Sequence, residues 1–115
     1  MRRGDIRLVD LDPVRGSEAN TRRPAVIVSN DRANAVAART GRGAITVVPV
    51  TSNTKRVYPF QTLLPAPDTG LRADSKAQAE QVRSVAVERV GTAIGHVPPY
   101  LMTNLDQALR VHLQL

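Results

Sequence analysis

Ala44-Ile45-Thr46-Val47-Val48-Pro49-Val50, closed by Thr51-Ser52-Asn53, is the stretch whose reading decides the fold. Its β-branched residues lose side-chain freedom in a helix and pack well on a pleated surface, so the run is the strongest strand signal in the chain. Upstream, Thr40-Gly41-Arg42-Gly43 supplies a turn with two residues free to take positive φ, and Asn30-Asp31 is placed to cap a short helix over Arg32 to Arg39. Before that helix, Pro24-Ala25-Val26-Ile27-Val28-Ser29 reads as a buried strand entered through a proline. Asp5-Ile6-Arg7-Leu8-Val9-Asp10-Leu11 alternates as a half-buried strand until Asp12-Pro13, because proline cannot continue a central ladder. Between these two strands, Val14 to Arg23 is polar and basic and reads as a surface loop.

Downstream of the deciding run, residues 53–59 form a second polar loop, ending in Tyr58-Pro59. Phe60-Gln61-Thr62-Leu63-Leu64 then alternates as a strand up to Pro65-Ala66-Pro67. Apolar residues at 77, 79, 82, 85, 87 and 90 fit a helix as well as strands with a break, and strands are the reading adopted. Pro98-Pro99 presets a helix start, after which Leu101, Leu105, Ala108, Leu109 and His112 or Leu113 recur at helical spacing. With 15 Val, 10 Leu and 4 Ile against three aromatics, Tyr58, Phe60 and Tyr100, the core is aliphatic. The expected architecture is a small strand-rich barrel capped by helices, a single domain over residues 1–115.

Composition narrows the function classes. The absence of cysteine excludes a disulfide scaffold, a thiolate zinc site and a cysteine nucleophile, and points to the cytoplasm. Met1-Arg2-Arg3 is followed by no apolar core of a signal peptide, and no run of about 18 apolar residues occurs, so neither a leader nor a membrane span is expected. The net charge of +6 is lopsided: residues 1–64 hold eleven bases against five acids, while the remainder is balanced. Fourteen of the sixteen bases are arginine, whose planar fork suits phosphate, so either a polyanionic partner or a solvated arginine-rich surface follows.

Metal chemistry is not expected, since His96 and His112 stand apart without cysteine or a carboxylate cluster of ligand spacing. His112 falls on the apolar side of the last helix and His96 in a Gly95-His96-Val97-Pro98 turn, as structural or surface residues. Phosphate-loop, dinucleotide and serine-hydrolase strings are absent. What remains is a polar constellation at strand ends: Gly16-Ser17-Glu18, Arg22-Arg23-Pro24, Thr51-Ser52-Asn53, Lys55-Arg56 with Tyr58 and Phe60, and Glu80-Gln81-Val82-Arg83.

Read in order, these strings resemble the toxin endoribonucleases of the MazF/PemK family. The strings that carry the resemblance are Gly4-Asp5-Ile6, Val9-Asp10-Leu11-Asp12-Pro13, Gly16-Ser17-Glu18, Arg23-Pro24-Ala25-Val26-Ile27-Val28-Ser29, Val48-Pro49-Val50-Thr51-Ser52, Tyr58-Pro59-Phe60 and Glu80-Gln81-Val82-Arg83-Ser84. The resemblance implies a mainly β fold with short helices, an SH3-like barrel of the MazF/CcdB type with a C-terminal α-helix. It implies a homodimer, no cofactor, and metal-independent cleavage of single-stranded RNA at a short sequence through the 2′-hydroxyl, inhibiting translation and growth. An acidic antitoxin protein is the implied partner.

By the same resemblance, Arg23 contacts the scissile phosphate and stabilises its developing charge, and Thr51 supplies a hydroxyl that orients the phosphate or the 2′-hydroxyl. Arginine, with a pKa above about 12, is a reluctant acid, so the electrostatic role of Arg23 carries more weight than proton donation. Glu18 matches the family's glutamate and is the candidate general base, with loop ordering or an ion pair to Arg22 as the alternative; the base stays open. Ser17, Arg22, Ser52, Asn53, Lys55, Arg56, Gln81 and Arg83 are the candidate RNA contacts, because splayed bases are read by hydrogen bonds and stacking. Tyr58 or Phe60 offers a stacking face, although Phe60 reads first as a core residue, and with so few aromatics arginine planes are the main platforms. The loop at Ala19-Asn20-Thr21-Arg22 and the insert Asn53 to Val57 depart from relatives where the cut sequence is set, so the cut site is not inherited.

Two other classes stand beside this reading. A sister barrel family poisons DNA gyrase by binding, using a terminal Trp-Gly-Ile tail, whereas this chain ends Val111-His112-Leu113-Gln114-Leu115. A non-catalytic RNA-binding barrel would keep the basic loops and tolerate changes at Arg23 and Thr51.

Overall fold

A computed structural model describes residues 1–11 and 22–115 of the chain. In chain order these form β1 (Asp5–Asp10), β2 (Arg22–Ile27), α1 (Asp31–Thr40), β3 (Ala44–Thr51), β4 (Gln61–Leu64), α2 (Ala66–Thr69), β5 (Ser75–Gln78), β6 (Arg83–Ala86), β7 (Val90–His96) and α3 (Pro99–Leu113), with 3-10 turns at Ala79–Gln81 and Val87–Arg89. The strands pair antiparallel in one seven-stranded sheet of order β4-β5-β3-β2-β1-β7, with β6 also on β3.

Strand β3 organises the sheet. Val47 pairs with Ile27 of β2 on one edge and with Arg83 of β6 on the other. Beyond Val47, the second edge passes from β6 to β5, where Val50 faces Ala77 and Thr51 faces Lys76. Because successive side chains point to opposite faces, the unbroken apolar run feeds two cores at once. Val48 and Val50 pack with Ile6, Val26, Leu64 and Ala77 under Leu101, Leu105 and Ala108 of α3. Ile45 and Val47 pack with Val9, Leu11, Ala25, Ile27 and Val85 beside Ala37 of α1. Complete burial of a Leu or Ile side chain contributes about 1.5–3 kcal/mol, so both layers hold the central strands in place.

Helix α1 starts where capping chemistry dictates: the Asn30 side chain accepts from the Ala33 N–H at 2.8 Å. It stops at Gly41, which takes φ 68° and returns its N–H to the Ala37 carbonyl. Strands predicted in residues 74–90 are present as β5, β6 and the start of β7. Strand β7 runs on to His96, so Gly95 and His96 close a strand instead of forming a turn, and His96 Nδ1 lies 3.2 Å from Asp5 Oδ1. The Pro65-Ala66-Pro67 stop carries a short helix, α2, because its prolines fall at the N-cap and in the first turn, where N–H groups have no helical partner to lose. His112 is exposed, as are Val111 and Leu113, so the last turn of α3 lies outside the core that its earlier leucines enter.

A basic cavity and loop at the ends of β2, β3 and β5

Arg23 sits on β2 opposite Val9 of β1 and is exposed. The last β2–β3 pair is Ala25 with Pro49, and Arg23 and Thr51 each lie two residues beyond it, on the same pleat face as that pair. Thr51 in turn pairs with Lys76, and Gln78 on the same face of β5 pairs with Gln61. The strand pleat therefore gathers Arg23, Thr51, Lys76, Gln78 and Gln61 on one face, although they are scattered in the sequence.

A cavity of about 230 Å³ opens on this face, lined by Leu11, Arg23, Pro49, Gln78, Gln81 and Arg83. Among the described residues it presents two guanidinium groups and two amides, with no carboxylate in its lining. That lining suits an anion flanked by groups with donor and acceptor edges: the guanidiniums offer forked N–H donors to phosphate oxygens, and the amides read hydrogen-bonding edges. Next to it, Thr51 Oγ1 accepts from the Asn53 N–H at 3.2 Å, and Asn53 Oδ1 accepts from the Lys55 N–H at 3.2 Å. The threonine hydroxyl thus orders the loop as an acceptor while its own proton is left to donate.

Loop 52–60 carries Asn53, Lys55 and Arg56 outward, all exposed. Arg56 Nη1 donates to the Tyr58 hydroxyl at 3.2 Å and its guanidinium carbon lies 5.7 Å from the Tyr58 ring centroid. Tyr58 and Phe60 stack face to face, centroids 5.3 Å apart with planes 2° from parallel, and Phe60 is only partly buried. Phe60 supports a stacking platform instead of filling the core. The loop is joined to the turn bearing Gln81 by Gln61: its Oε1 accepts from the Tyr58 N–H at 3.1 Å, and its Nε2 donates to Glu80 Oε2 at 2.8 Å.

The predicted contacts thus separate. Arg23, Gln81 and Arg83 share the cavity, Thr51 follows its lining residue Pro49 by two positions on β3, and Asn53, Lys55 and Arg56 stand on the adjoining loop. Ser17 and Glu18 lie outside the described residues. Arg22 is not with them: as the neighbour of Arg23 on a strand it faces the opposite side, and its guanidinium crosses to Gly91 of β7, where a Cβ would collide with its Nη1 and approach the Leu8 carbonyl to 3.0 Å. Ser52, next to Thr51, likewise lines a different cavity of about 520 Å³ with Leu8, Pro24, Leu71, Arg72 and Ile94. Sequence reading missed Gln78 and Lys76. The alternation of Ser75-Lys76-Ala77-Gln78-Ala79 held the signal, but the helix-compatible spacing of residues 77–90 obscured which side chains share a face.

Residues 2–113 match the family described as PemK-like, MazF-like toxin of type II toxin-antitoxin system. The chain is 65% identical to Endoribonuclease MazF9 of Mycobacterium tuberculosis over 115 residues, covering 100% of this chain and 98% of that protein. It is 31% identical to Endoribonuclease EndoA of Bacillus subtilis over 115 residues, covering 100% of this chain and 96% of that protein. Among solved structures, MazE-MazF from Deinococcus radiodurans superposes with a TM-score of 0.79 at 26% identity, covering 100% of this chain and 96% of that one. An architecture shared from end to end and identity spread over the full length leave one assignment: the chain belongs to the PemK-like, MazF-like family of type II toxin–antitoxin toxins.

Proposed function

We propose that this toxin is an endoribonuclease that cuts single-stranded RNA through the RNA's own 2′-hydroxyl, without a metal ion. The observation that carries the reading is a cavity that brings Arg23, Arg83, Gln81 and Gln78 together, with Thr51 two residues past Pro49 of its lining on the same strand face. In the reaction the 2′-oxygen bonds to the adjacent phosphorus, the bond from phosphorus to the 5′-oxygen breaks, and the 2′-proton and the proton for the leaving oxygen are exchanged with the protein or water. RNA brings its own nucleophile, so the protein has to supply in-line geometry, proton transfer and stabilisation of the crowded phosphorane. Arg23 and Arg83 offer the positive field, and the Thr51 hydroxyl a directed donor. Glu18 is the candidate acceptor of the 2′-proton. Gln81, Gln78, Asn53 and Arg56 read the flanking bases, with Tyr58 as a stacking face, while Lys55 meets the RNA backbone.

The physiological unit in this reading is a cytoplasmic homodimer held in check by an acidic antitoxin, whose charge complements the basic first half of the chain. The gyrase-binding alternative draws no support from the relatives described above. The deciding experiment incubates purified, antitoxin-free protein with a mixed pool of single-stranded RNA in excess EDTA and sequences the fragments. Defined cuts leaving a 5′-hydroxyl and a 2′,3′-cyclic or 3′-phosphate are expected. Intact RNA in the presence of folded protein would sink the reading and move gyrase binding or passive RNA binding ahead.

A further inference from the structure

Lys76 is a lysine in the wrong place for a solvated charge. It is 7% exposed, and among the described residues no carboxylate pairs with it. Its Nζ donates to the Arg56 carbonyl at 2.6 Å and lies 6.0 Å from the Tyr58 ring centroid. Burying an ammonium is costly, and a methionine of similar length would fill the same space without that cost, so packing alone does not account for it. Loop 52–60, for its part, has little apolar anchorage: Ser52, Asn53, Lys55, Arg56, Val57 and Tyr58 are all exposed. Its recorded side-chain ties come from Thr51, Asn53, Arg56 and Gln61, within or beside it, and from Lys76, on the strand that pairs with Thr51.

We propose that Lys76 is a positioning residue for sequence specificity: it clamps the backbone at Arg56 and so sets the base-reading loop at a fixed height above the Arg23 and Thr51 row. The inference rests on the RNA-cleaving reading and deepens it. Because Lys76 grips a main-chain carbonyl, the clamp is independent of the side chain at position 56. The phosphate-handling groups stay in place without it, so its loss falls on discrimination and binding rather than on the chemical step.

The test compares Lys76→Met and Lys76→Arg with wild type on the mixed RNA pool. Lys76→Met is expected to broaden the cut-site profile, lower the preference for the best site about ten-fold and raise KM, with kcat within about two-fold; Lys76→Arg, which keeps the donors, restores much of the preference. A wild-type profile and KM in Lys76→Met would overturn the proposal. A second measurement needs no variant: the chain has two lysines, Lys55 and Lys76, so a lysine-labelled sample gives two ammonium signals by NMR. The Lys76 signal is expected to exchange slowly with water and, with carbon-13 also placed at the arginine carbonyls, to correlate with the Arg56 carbonyl carbon; exchange of both at one fast rate overturns the clamp. Should wild-type protein leave RNA intact, the cleavage reading fails while the NMR result still judges the clamp.

Discussion

At the scale of single residues, adjacent arginines have different work. Arg23 faces the cavity, and its replacement by alanine is expected to leave the fold intact while lowering cleavage about 10²- to 10³-fold, the scale of losing one preorganised charge contact. Thr51→Ala removes a directed hydroxyl and a loop acceptor together, so a loss of at least about ten-fold is expected, with KM affected too. Single-turnover cleavage with melting curves as the fold control checks both; wild-type rates in the two variants would remove them from the site. Away from the site, the Tyr100 hydroxyl donates to Asp68, and that hydrogen bond, with some desolvation, raises the phenol above its ordinary 10.0. A raised value means that the contact favours the folded state below pH 10.0 and that this contribution is lost as pH rises through the raised value. In a Tyr58→Phe background, where Tyr100 is the one tyrosine left, ultraviolet titration is expected to show a midpoint above 10.0 that falls on adding Asp68→Asn.

At the scale of elements, α3 depends on a narrow stripe. Leu105 is fully buried against the core beneath β3 and β4, so Leu105→Ala is expected to cost about 2–5 kcal/mol in urea unfolding, whereas Leu113→Ala on the exposed last turn stays within about 0.5 kcal/mol. Both leucines belong to the same apolar periodicity, and only three-dimensional reach separates them, which is why the sequence could not exclude His112 from the apolar side. The same contrast marks what was legible elsewhere. β1, β3 and α1 were readable because alternation, a β-branched run and an Asn cap are local signals. The span from Ser75 to His96 was harder, because its strands are short and interrupted by 3-10 turns, so no single period lasts long enough to register. The candidate site followed suit: Arg23, Thr51, Gln81 and Arg83 are proposed from strings, whereas Lys76 and Gln78 become visible only through the pairing of β5 with β3 and β4.

At the scale of the whole molecule, charge and topology coincide. The basic excess of residues 1–64 includes Arg23, Lys55 and Arg56, and β6 adds Arg83 to the same region from the balanced half. Lys55 is exposed, and among the described residues its ammonium makes no recorded bond, so Lys55→Gln is expected to weaken binding to all single-stranded RNAs alike and to reduce the slope of log affinity against log salt by about 0.7. Filter binding at several salt concentrations checks this; an unchanged slope would place Lys55 away from the RNA path. Arg22 carries a different consequence. It crosses β1 to rest its guanidinium where Gly91 has no side chain. A side chain at residue 91 would push aside the flexible end of Arg22 and press on the fixed Leu8 carbonyl, so growth there is limited by the backbone of β1 and not by the arginine. The doublet Arg22-Arg23 is thus divided between two surfaces: one member lines the cavity, and the other lies across β1 toward a glycine of the strand beyond it.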